Sequence, residues 1–278
     1  MLTLLLACTG GSVDIDTTSP DDTASESDTD TDTDTDSDTD TDTDTDSDTD
    51  TDTDTDVDAD CSEGGGVGTG YLSAGGLSAL LYVPKGLGCA PLFIFGHGAD
   101  KPGSWFGDSW SDPLGTGLQG LADERGFALL VPGVEEGVTS HGWALNNCSA
   151  FGQLIELASE ATEIDRDRVY MAGQSAGGFV TAYSTLYCPE HFAKTSVVSA
   201  GTGGYFDYPS VAPDPKLAVY VVHDPNDQVV PYSYGSSFAA QLELQGHEVL
   251  FEDWELGGGG HSWTTELTPA VLDWFEIQ

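Results

Sequence analysis

The sequence predicts an α/β fold: a mostly parallel central sheet flanked by helices. Three observations predict it. Short β-rich runs alternate with helical stretches from residue 77 onward. Those runs are continuously apolar rather than alternating, as strands buried on both faces are. The 218 residues from 61 to 278 suffice for one large core.

The elements follow in order. Strands are expected at 77–83, 92–95, 127–131, 168–172, 196–199, 217–222 and 249–252. Pro132-Gly133 ends the third of these. Helices are expected near 115–125, 150–163, 176–187, 234–245 and 267–275. This alternation gives crossover connections and a doubly wound sheet. Ligands in such sheets bind outside the carboxyl ends of the strands.

Charge is unevenly distributed. The 278-residue chain has a formal net charge of −41, and 22 of its 48 acids lie in residues 1–60. No Lys or Arg precedes Lys85, and residues 61–278 carry 26 acids against seven basic residues. So acidic a chain repels phosphate backbones, which argues against nucleic acid as a partner. It does not exclude small neutral substrates.

Three divisions are expected: 1–8, 9–60 and 61–278. Leu5-Leu6-Ala7-Cys8 resembles a bacterial lipobox, in which the cysteine is acylated. The apolar stretch from Leu2 to Ala7 is shorter than a leader's and lacks a basic residue, so the true start is expected upstream. By the same resemblance, Thr9 in place of Asp favours the outer membrane. The next segment is built from Asp, Thr and Ser, with a Thr-Asp repeat from 29 to 56. Mutually repelling carboxylates and almost no apolar surface predict a disordered, solvated spacer. Its reach is at most roughly 150 Å. It lacks the turn Gly and bidentate Glu of a calcium loop.

The chemistry centres on Gly173-Gln174-Ser175-Ala176-Gly177-Gly178. It follows an expected strand and precedes an expected helix, the context of a Gly-x-Ser-x-Gly nucleophile elbow. Glycines flank the serine because the turn leaves no room for side chains. A serine hydroxyl needs a base to take its proton. Of six histidines, His261 follows the last strand in a run of four glycines, as the chain order serine, acid, histidine requires. The acid should follow a strand between them. Asp224 and Asp227 both qualify; Asp227, at the loop crest, is the choice, with Asp224 as a brace. The oxyanion needs backbone donors, assigned to Ala176 and, in the loop after the second strand, Ala99. Each donor is worth roughly 3 kcal/mol. Neither a cofactor nor a metal is expected, because no Cys/His cluster has ligand spacing.

Together these residues resemble the polyhydroxybutyrate-depolymerase and feruloyl-esterase branch of the α/β-hydrolases. Further pieces are His97-Gly98, Trp143 with Cys148, Asp165-Arg166-Asp167-Arg168-Val169-Tyr170, Tyr187-Cys188-Pro189-Glu190-His191-Phe192-Ala193, Asp227-Gln228-Val229-Val230-Pro231-Tyr232, and Gly-Gly-His-Ser-Trp at residues 259–263. Thr264 stands where a proline often follows that Trp. The resemblance implies ester hydrolysis outside the cytoplasm through an acyl-enzyme. Trp263, Trp143, Gln174 and His97 are the candidate substrate contacts. Apart from Cys8, four cysteines allow three connectivities. Their placement suggests Cys61–Cys89 and Cys148–Cys188, in an oxidising compartment. A monomer tethered to a membrane through Cys8 is expected, acting on feruloyl or acetyl esters of polysaccharide or on short hydroxyalkanoates. The alternatives are a prolyl-oligopeptidase-type peptidase and a non-catalytic surface binding protein.

Overall fold

The computed structural model describes residues 68–99, 116–132 and 148–278. The divisions at 1–8 and 9–60 lie outside the described residues, as do Cys8, Cys61 and Trp143.

The strands are β1 Gly68–Ala74, β2 Leu77–Val83, β3 Ala90–Gly96, β4 Ala128–Pro132, β5 Ile164–Gln174, β6 Lys194–Val198, β7 Ala218–His223 and β8 Glu248–Asp253. The helices are α1 Leu118–Arg125, α2 Cys148–Ala161, α3 Ala176–Tyr187, α4 Tyr232–Leu244 and α5 Leu267–Trp274, with a single helical turn at Gly257–Gly260. The strands form one sheet in the order β1-β2-β4-β3-β5-β6-β7-β8. Pairing is antiparallel for β1–β2 and β2–β4 and parallel from β4 through β8.

Period-2 geometry sorts the strand side chains onto two faces. Leu92, Ile94, Val169, Met171, Val197, Val219 and Val221 enter one core with residues of α2, α3 and α4. Their neighbours Phe93, Phe95, Tyr170, Ala172, Val198, Tyr220 and Val222 enter the other, with Leu118 and Ala122 of α1 and Leu267, Val271 and Leu272 of α5. Both faces are covered, so the strands read as unbroken apolar runs. Each buried Leu or Phe contributes about 1.5–3 kcal/mol.

β1 is not legible in the sequence. Its Gly-Thr-Gly-Tyr-Leu-Ser-Ala is mostly exposed at the sheet edge, so no buried run marks it. Helix α1 begins at Leu118 rather than 115 because Gly117 is left-handed, at φ 70°. Cys148 and Cys188 form a disulfide with Cα atoms 5.5 Å apart, tying the first residue of α2 to the end of α3. Cys89 is itself disulfide-bonded. Among the described residues, no helix is long and apolar enough to cross a membrane.

Candidate active site

Strands β3, β5, β6 and β7 end together along one rim of the sheet. Gly96 pairs with Gly173, Gln174 with Val198, and Val198 with Val222. The chain leaves β5 through Ser175, whose φ 56° and ψ −120° lie outside the ordinary regions. Such backbone strain costs on the order of 1–3 kcal/mol and persists only where the surroundings enforce it. Ser175 N–H donates to Val198 O at 3.1 Å, and Gly177 N–H donates to His97 O at 3.0 Å. A Cβ on Gly177 would lie 2.1 Å from Gly96 O, and one on Gly173 2.4 Å from Gly177 O. The elbow therefore requires glycine on both sides of the serine.

The histidine arrives from the turn after β8. Gly258, Gly259 and Gly260 all have positive φ, 65°, 73° and 83°. A Cβ on Gly260 would lie 2.8 Å from Asp227 Cα. The glycine run is thus a compact turn set directly against the acid's loop, not the flexible loop its composition suggests. Gln228 N–H donates to Gly259 O at 3.1 Å and joins the two.

Three side chains meet at this rim. His261 Nε2 is 2.8 Å from Ser175 Oγ, and His261 Nδ1 is 2.8 Å from Asp227 Oδ2. A carboxylate only accepts, so Nδ1 carries the proton and Nε2 presents its lone pair to the serine hydroxyl. The Asp227 side chain is fully buried. Its Oδ1 accepts the amides of Val229 and Val230, both at 2.8 Å. Burial pushes the carboxyl upward, but the hydrogen bond from His261 and the Val230 and Val229 amides outweigh it and hold it below the ordinary range. Asp224 braces the loop instead: its Oδ1 accepts Asn226 N–H at 2.8 Å and its Oδ2 accepts Leu256 N–H at 2.7 Å.

Ala176 is the first residue of α3, so its N–H has no partner within the helix. Among the described residues it meets no backbone acceptor elsewhere. Ala99 is exposed, in the loop after β3 that passes the serine: a Cβ on its neighbour Gly98 would lie 3.5 Å from Ser175 Cβ.

Three of the expected substrate contacts are placed otherwise. Trp263 is a core residue, 7% exposed, edge-on to Phe95 with ring centroids 5.0 Å apart. Its indole N–H donates to Thr268 Oγ1 at 2.7 Å, so the polar tip is satisfied inside and the ring packs in the core. Gln174 is buried, and its amide donates to His261 O at 2.8 Å, bracing the histidine backbone. His97 is buried, with Nδ1 2.8 Å from Gly98 O; its own carbonyl takes Gly177 N–H. Sequence reasoning gave no role to His223, whose Nε2 lies 3.3 Å from Asp227 Oδ2. The one signal was its position at the end of a strand, four residues before the acid.

The topology, the serine on a strand-to-helix elbow and the acid and histidine on later loops decide the fold. It is that of an α/β-hydrolase. Solved structures agree. The acetyl xylan esterase from Aspergillus awamori superposes with a TM-score of 0.58 at 14% identity, covering 76% of this chain and 99% of that one. The acylaminoacyl peptidase of Pyrococcus horikoshii gives 0.57 at 18% identity, covering 75% of this chain and 41% of that one. In sequence, the chain is 27% identical over 164 residues to feruloyl esterase B of Neurospora crassa, covering 52% of this chain and 53% of the relative. The match thus spans about half the length of that relative. No family model matches.

Proposed function

We propose that this α/β-hydrolase is a serine hydrolase that cleaves carboxylic esters through an acyl-enzyme. The observation that carries the reading is the unbroken relay Ser175–His261–Asp227, with both contacts at 2.8 Å. His261 Nε2 takes the hydroxyl proton as Oγ attacks the ester carbonyl carbon. The Ala176 amide, with Ala99 as second donor, stabilises the oxyanion. The imidazolium then gives its proton to the leaving alcohol, and water attacks the acyl-enzyme by the same route. Asp227 orients the imidazole and stabilises its protonated form.

Aryl acyl groups or sugars are the substrates best supported. Phe179, one helical turn past Ser175, meets Tyr205 edge-on at 4.9 Å and Tyr234 at 6.3 Å. Tyr205 is 67% exposed and can stack on a planar group. The relative's name, feruloyl esterase, supports the same class. Short hydroxyalkanoate esters are a second candidate. A peptidase activity uses the same relay, and the acylaminoacyl peptidase of like fold keeps it in view. The protein is proposed to act outside the cytoplasm, tethered through acylated Cys8 and the acidic spacer; intact mass of the mature protein tests that anchor.

The test is Ser175→Ala against wild type on p-nitrophenyl acetate, then a screen of methyl ferulate, acetylated xylan, hydroxybutyrate oligomers and an acyl-peptide amide. Loss of turnover in the variant supports the reading. Equal turnover by both proteins sinks it.

A further inference from the structure

We infer that His223 is a positioning residue for Asp227, its Nε2–H holding the carboxylate oxygen that His261 uses. The inference rests on the reading of Ser175, His261 and Asp227 as one relay. His223 is the last residue of β7, and its side chain is wholly buried. Its Nε2 lies 3.1 Å from Val230 O and 3.3 Å from Asp227 Oδ2. A carbonyl only accepts, so Nε2 carries the proton and points it between these two oxygens.

The consequences for Asp227 follow from counting acceptors. Oδ2 faces both His261 Nδ1, at 2.8 Å, and His223 Nε2. Oδ1 holds the amides of Val229 and Val230. Val230 is therefore tied twice, its N–H to the carboxylate and its O to the His223 ring. Ring, peptide and carboxylate form a closed circuit that fixes the plane in which Oδ2 meets His261.

The other edge of the ring supplies the second half of the argument. Among the described residues, His223 Nδ1 has no hydrogen-bond partner. Gly235 of α4 packs against it so closely that a Cβ there would lie 2.5 Å from Nδ1. Burying a bare ring nitrogen costs free energy that an apolar ring would not. What the imidazole supplies in return is its Nε2–H. Burial keeps His223 below the ordinary histidine range despite the opposing pull of the Val230 carbonyl and Asp227, so the ring stays neutral with one proton.

The test compares His223→Leu with His223→Gln, whose side-chain amide carries an N–H near the place of Nε2. On p-nitrophenyl acetate, the Leu variant is expected to lose about tenfold or more in kcat with KM changed less than about twofold, and the Gln variant to recover most of the loss. Equal losses in both, or full kcat in the Leu variant, overturn the inference. A ¹⁵N NMR measurement on the wild-type protein remains decisive if neither variant folds. His223 is expected as the neutral Nε2–H tautomer at about pH 7, taking up its second proton only below the ordinary histidine range. An Nδ1–H tautomer, or protonation within or above the ordinary histidine range, overturns it equally. The tautomer needs no activity to be read, so its failure is distinct from the failure of the relay, which the Ser175→Ala comparison reports.

Discussion

Asp227 has all four of its acceptor directions filled by groups from its own loop, from β7 and from the turn after β8. Replacing it with Asn keeps the shape and reverses the chemistry. An amide nitrogen facing Nδ1 drives the imidazole proton to Nε2, where it can no longer accept from Ser175. Asp227→Asn is expected to lower kcat by about 10³–10⁴ with little change in KM, measured by steady-state ester hydrolysis. At the scale of single residues, the three relay members were legible because pattern alone orders them: an elbow serine, an acid past a strand, a histidine past the last strand. Their supports were not. Nothing in Gly-Gln-Ser says that Gln174 turns to the His261 carbonyl. Trp263 beside the histidine reads as a cleft residue until its N–H is found bonded to Thr268 inside the core.

The elements carry the same lesson through burial. Strands β2 to β7 were readable because buried apolar residues run through them, and the edge strand β8 through its Val249-Leu250-Phe251 run, whereas β1 at the other edge has no fully buried side chain and no apolar run to announce it. The turn Gly257–Gly260 carries no apolar pattern, and its geometry follows from its contact with Asp227. Gly260→Ala places a Cβ where φ is 83° and a backbone atom is 2.8 Å away. The substitution is expected to cost about 1–3 kcal/mol in stability. It should lower kcat as well, because His261 is the next residue; chemical denaturation and steady-state kinetics check the pair of effects. The Cys148–Cys188 bridge closes 40 residues of chain. Replacing both cysteines with alanine is expected to cost about 2–4 kcal/mol, read from urea unfolding, with the relay geometry unchanged.

Across the whole molecule, two titrating effects occupy different pH windows. His223 and His247 are both held below the ordinary histidine range, chiefly by burial. An unfolded histidine takes up a proton near pH 6.5, so below that pH the unfolded state binds more protons than the folded one. Their contribution is therefore complete above about pH 6.5 and is lost as pH falls toward the folded values, at up to about 1.4 kcal/mol per pH unit for each group. Asp227 acts lower. Its folded value is depressed, so its contribution is complete above about pH 4 and is lost only as pH falls below that. Thermal unfolding from pH 8 to about 5 in high salt isolates the histidine window, and a flat profile contradicts the assignment. Salt itself is expected to stabilise the fold. Arg125, Arg168 and Lys194 already pair with Asp273, Asp165 and Glu276, and residues 61–278 still hold 26 acids against seven basic residues, an excess that repels itself. Raising sodium chloride from about 10 mM to 0.5 M should raise the Tm.

The relay is tested most directly by labelling with a fluorophosphonate, whose phosphorus is attacked by an activated serine oxygen with loss of fluoride, followed by peptide mass mapping. The expected result is one adduct, on Ser175, in the wild-type protein and a severe loss of labelling in His261→Ala. An adduct on another serine, or equal labelling of Ser175 with and without the His261 imidazole, contradicts the account.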